Sequence, residues 1–147
     1  MRIQDVNLKS LLSPIVTLML GACATAPVPQ DIAKFAPHER VFLKTVAGPG
    51  MATAIFIRDS GASGSAVSQS LAINNKIAAE LNTSEKAVFH LKPGDYIFSA
   101  PPFDPFGSKA TMAIDQELKP DRTYSYRILM DGNSGLIFIQ RLLPAAK

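Results

Sequence analysis

Beyond residue 50 the apolar and polar positions fall into short runs of period two, the spacing of half-buried β-strands. Ala52 to Arg58 (ATAIFIR) is apolar on both faces, which predicts a central strand. Val67, Gln69, Leu71 and Ile73 alternate with Ser68, Ser70 and Ala72, and Asn74-Asn75 predicts a tight hairpin returning through Lys76 to Leu81. Ala87 to Leu91 and Asp95 to Ala100 flank Lys92-Pro93-Gly94, where Pro and Gly suit a type II turn and predict a second hairpin. A third pair, Lys109 to Leu118 and Thr123 to Met130, is joined by Lys119-Pro120-Asp121-Arg122. A last strand, Leu136 to Leu143, follows a turn at Asp131 to Gly135. Some seven short strands with brief turns predict an all-β fold, an antiparallel β-sandwich or barrel, with the sandwich preferred. The expected core is Ile55, Ile57, Val67, Leu71, Ile73, Phe89, Leu91, Phe98, Ile114, Tyr124, Tyr126, Ile128 and Phe138. A parallel α/β arrangement is excluded because no long helical pattern separates the strands.

The first part of the chain follows a different logic. Arg2 and Lys9 precede the apolar stretch Leu11 to Leu20, which ends in Gly21 and Ala22. Ten helical residues span about 15 Å, half of a hydrocarbon core roughly 30 Å thick, so the stretch predicts a secretory signal over residues 1–22 rather than a membrane span. Ala24 to Ala36 holds two Pro and four Ala without alternation, and with Cys23 it is expected to form a flexible tether over 23–36. The domain is expected to occupy 37–147. Pro37 to Ala47 is ambiguous between a strand and one short N-terminal helix or turn, with the helix or turn preferred.

Composition narrows the chemistry. In 147 residues, 47% are hydrophobic, which suits one globular domain and not a disordered chain. Lys and Arg number 15 against 12 Asp and Glu, a surplus of three spread along the chain. Losing Arg2, Lys9 and Asp5 with the leader lowers the formal charge to +2, so no nucleic-acid partner is indicated. One Cys excludes an intramolecular disulfide and a Cys-based zinc site, so no metal or other cofactor is expected.

Catalytic patterns are weak. The Ser-containing loop Asp59 to Ser65 is not a Gly-x-Ser-x-Gly elbow and no helical pattern follows it, so a solvated loop is preferred over a hydrolase nucleophile at Ser63 or Ser65. His90 alternates with Phe89 and Leu91 and is expected on an outer strand face, without a carboxylate nearby in sequence. His38 lies near the tether and is placed on the surface in the same way. Asp115 and Glu117 share one strand face, which is read as solvated rather than as an acid/base pair. Asn82-Thr83-Ser84 is read as a turn, and Arg58 as an Arg leaving the sheet for solvent, with anion binding as the sharper option. No catalytic residue is assigned and the chain is not expected to be an enzyme. Phe103 and Phe106 stand in the Pro-rich run Ala100 to Gly107; such rings either cap one end of the sandwich, the commoner outcome, or form a contact patch for a partner or glycan.

The run Leu20-Gly21-Ala22-Cys23 resembles the lipobox of bacterial lipoproteins. That resemblance implies acylation of Cys23 and anchorage to the membrane through its acyl chains. Ala24, rather than Asp, after the Cys implies the outer membrane, facing the periplasm. Ala52 to Ala100, about a third of the chain, resembles small bacterial lipoproteins that carry a domain of unknown function. The carriers of that likeness are AIFIR, the loop GASG, LAINNKIAAEL and VFHLKPGDY. The same logic is similar to PEGA and carboxypeptidase-regulatory modules, small β-sandwiches used as adhesive or structural appendages. Together these imply a non-enzymatic interaction or envelope-structure lipoprotein, with an envelope protein as partner and Phe103 and Phe106 as candidate contacts. The alternative is a small-ligand or glycan binder with its pocket between the Gly61 to Gly64 and Phe103 to Phe106 loops.

Overall fold

The computed structural model describes residues 25–61, 65–101, 112–131 and 135–143. Cys23, Ser63, Phe103 and Phe106 lie outside these residues. The fold is an all-β sandwich. One sheet has the order β1 (Lys34–Phe35), β5 (Glu85–Leu91), β2 (Ala52–Arg58), β8 (Thr123–Met130) and β9 (Ile137–Leu142). The other has the order β4 (Lys76–Leu81), β3 (Gln69–Ile73), β6 (Gly94–Ser99) and β7 (Ala113–Leu118). Five of the seven pairings are antiparallel, while β2 runs parallel to β8 and β1 to β5.

The β3–β4 hairpin forms at the expected turn, where Asn74 and Asn75 both take positive φ, 48° and 62°. The other two expected hairpins do not form. β5 and β6 belong to different sheets, as do β7 and β8, so the Pro93-Gly94 and Pro120-Asp121 links are corners between layers. Gly94 opens β6 with φ 144°, a value open to Gly but strained for a side chain. Alternation predicts the face a strand presents to the core, and both arrangements satisfy it equally. The real hairpin partners are β6 with β7 and β8 with β9.

β2 sits at the centre of its sheet and is buried on both faces. Ala52, Ala54 and Phe56 point between the sheets, where Phe56 stacks on Tyr126 at 4.9 Å and meets Phe98 of the opposite sheet edge-on at 5.0 Å. Ile55 and Ile57 point the other way, into a second cluster with Ala33, Val28 and Val88. Phe56 therefore centres the main core that the expected list assigned to Ile55 and Ile57. Val67 is exposed, and Ile114 and Phe138 are half-buried.

That second cluster explains the segment before Pro37. Residues 25–36, read from composition as a tether, lie against the five-stranded sheet: Ala26 pairs with Ser60, Lys34 and Phe35 pair with Glu85 and Lys86, and Ala33 is buried. Covering Ile55 and Ile57 removes two branched side chains from water, roughly 1.5–3 kcal/mol for each if fully buried. Beyond it, the expected helix or turn is one 3-10 turn at His38–Arg40, after which Val41 to Leu43 cover the edge of β4 through bonds to Ala78 and a bridge to Ala79.

Candidate functional site

The buried polar side chains gather at one end of the sandwich, where β2 terminates. Parity puts Arg58 on the same face as Ala54 and Phe56, so its side chain turns inward; it is 6% exposed. Its Nη1 donates to the carbonyls of Val67 and Leu81, both at 2.7 Å, tying one sheet to the other. Burial lowers the proton affinity of this guanidinium, and the charge of Glu85 opposes that shift. The expectation that Arg58 leaves for solvent is thus corrected: an Arg that can reach backbone carbonyls across the gap is satisfied inside.

Asp59, the next residue, faces outward yet has no solvent-exposed side chain. Both of its carboxylate oxygens accept from Arg127, one from Nε at 3.1 Å and the other from Nη2, and the backbone N–H of Val28 approaches within 3.4 Å. Gln69 is buried and donates through Nε2 to the carbonyls of Ser70 and Pro101, at 3.0 and 2.7 Å. Nearby, Glu85 accepts from both Arg40 nitrogens at 2.6 and 2.8 Å and from the Asn82 N–H at 2.7 Å. Burial would raise its pKa, but the Arg40 bonds, the Asn82 N–H and the charges of Arg40 and Arg58 together outweigh it and hold the carboxyl below its usual range.

This end also gathers connections that are remote in sequence. Arg58 bonds to Val67, Gln69 bonds to Pro101, and Thr25 Oγ1 donates to the Met130 carbonyl at 3.4 Å. The links from β2 to β3, from β6 to β7 and from β8 to β9 therefore all leave from here, beside the N-terminal segment. The flanks of the two loops expected to border a ligand pocket are neighbours. The cavity among Thr25, Arg58, Asp59, Gln69, Ile128, Leu129, Met130 and Ile137 is about 10 Å³, the size of one water rather than of a sugar.

The other candidates sit elsewhere. His90 is half-buried on the outer face of β5, its Nδ1 3.2 Å from Thr53 Oγ1 and its N–H bonded to Thr45 Oγ1 at 2.9 Å. His38 is largely exposed, 3.9 Å from Glu39. Asp115 and Glu117 are exposed on edge strand β7, with Asp95 directly opposite Glu117, along an open groove with Asn74, Tyr96 and Ile97. Among the described residues no group of three or more His, Cys, Asp or Glu is placed to hold a metal ion, and no helix is long and apolar enough to cross a membrane.

Sequence reading missed the two ion pairs and Gln69 because each partner lies far along the chain, Arg127 being 68 residues from Asp59 and Glu85 45 from Arg40. The one local signal was a charged pair, Arg58-Asp59, closing a strand apolar on both faces. No family model, curated protein or solved structure matches this chain.

Proposed function

We propose that this protein is a lipoprotein anchored by acyl chains on Cys23 to the periplasmic face of the outer membrane, where its sandwich acts as a non-enzymatic interaction or envelope-structure module. The leader pattern and the Leu20 to Cys23 run support the anchor. The observation that carries the reading is the engagement within the fold of the polar side chains gathered at the Arg58 end of the sandwich. Arg58, Asp59, Gln69 and Glu85 hydrogen-bond backbone or partner side chains that hold the two sheets and the N-terminal segment together. Such groups stiffen a scaffold, whereas catalytic groups face a space that admits a substrate.

The test is metabolic labelling with palmitate, followed by mass spectrometry of the mature N-terminus. Label on the native chain and none on Cys23→Ser, which also stays uncleaved, is the expected result. Normal processing of Cys23→Ser would sink the anchor. Photocrosslinking probes at Phe103 and Phe106, with Ser70 as control, would then identify an envelope partner, and a discrete adduct at the loop alone with a protein of the outer membrane is expected.

A further inference from the structure

We infer that the end of the sandwich carrying Arg58 and Thr25 is a lipid-facing surface, so that the strands stand roughly along the membrane normal. This rests on the proposed acylation of Cys23.

The first ground is the length of the leash. Ala26 exchanges backbone bonds with Ser60 at 2.7 and 3.1 Å and takes a third from Ser60 Oγ at 3.2 Å, while Thr25 bonds to Met130. Only Ala24 separates Thr25 from Cys23, and two residues span at most about 7 Å. The headgroup region of one leaflet is about 5–8 Å deep. A domain held that closely cannot stand off the bilayer, and the part held is this end.

The second ground is the chemistry of the rim. Val67, Met112 and Leu136 are 42, 43 and 38% exposed, and each borders one of the connections that leave from this end. Lys34, opposite Glu85, lies at this end, whereas the exposed cations Lys76, Lys92, Lys119 and Arg122 lie at the other, around the turns before β4, β6 and β8. Seven residues of β2 put those charges about 20 Å away, beyond a Debye length of about 8 Å. Attraction to anionic headgroups is therefore screened while this end is held down, and the apolar rim is the part within reach of lipid.

The experiment uses the full acylated protein, purified and reconstituted into vesicles of phosphatidylethanolamine and phosphatidylglycerol containing headgroup-nitroxide lipid. Acylation consumes the Cys23 thiol, so Leu136→Cys, Val67→Cys and Lys92→Cys each supply the only free thiol for a fluorophore, at exposed positions the fold tolerates. The expected result is quenching at 136 and 67 at least about threefold stronger than at 92, given the separation of the two ends along the strands. Equal quenching at both ends, or stronger quenching at 92, in protein whose acyl mass is confirmed would overturn the orientation and leave the anchor standing. Absence of the acyl mass would overturn both.

Discussion

Tyr126 offers the sharpest test of the core. Its ring is fully buried, stacked on Phe56 and edge-on to Phe98 at 5.1 Å, and its hydroxyl has no hydrogen-bond partner among the described residues. A buried hydroxyl left unpaired costs about 1–3 kcal/mol in desolvation. Tyr126→Phe keeps both ring contacts and leaves an oxygen-sized gap, worth only a few tenths of a kcal/mol at about 24 cal/mol per Å³. The variant should therefore gain about 1–2 kcal/mol, seen as a higher urea midpoint at unchanged slope and a rise of roughly 4 °C in Tm for each kcal/mol. Burial raises the phenol pKa far above its ordinary 10.0, with Arg141 opposing and Tyr124 adding to the shift. The phenol then stays neutral in the folded protein while the unfolded chain ionises above about pH 10. Its contribution to stability is complete below that pH and is lost as pH climbs toward the raised folded value. Tyr126→Phe should flatten this alkaline decline. A loss of about 1 kcal/mol or more at neutral pH would show that the hydroxyl is hydrogen-bonded, and an unchanged alkaline branch would refute its burial.

Two further outcomes probe the N-terminal segment and the Arg40 pair. A chain beginning at Pro37 uncovers Ile55, Ile57 and Val88 and should lose about 2–4 kcal/mol in chemical denaturation; unchanged stability would restore residues 25–36 as a mere tether. Glu85 has a depressed folded pKa, so its stabilising effect holds above the unfolded value of 4.5 and fades as pH falls through the lower folded one. Urea melts of Glu85→Gln should differ from those of the native protein at pH 6, and the gap should narrow as pH falls below 4.5, whereas a gap independent of pH would argue against the ion pair.

Much of the secondary structure was legible along the chain. Lys76–Leu81 and Thr123–Met130 form with the expected bounds, and the Asn74-Asn75 turn lies where two residues tolerant of positive φ stand together. Val67 was misplaced because the alternation it starts runs one turn beyond the strand, which opens at Gln69. At the candidate site only Arg58 and Asp59 stood out locally, and their roles depended on Val67, Leu81 and Arg127 arriving from other strands.

By itself the sequence determined the class of the fold and the face that β3, β5, β6 and β8 turn inward, because alternation and turn chemistry act over a few residues; β2 and β9, apolar on both faces, took theirs from the tertiary structure. Apart from the β3–β4 hairpin, which strands pair was decided only in three dimensions. The Pro93-Gly94 and Pro120-Asp121 links join layers rather than hairpins, and β2 lies parallel to a strand 70 residues away, Thr53 opposite Thr123. The same holds for the segment beside Cys23: nothing in its own composition calls for order, and it is held because Ile55, Ile57 and the buried carboxylate of Asp59 need a cover that the rest of the fold leaves open.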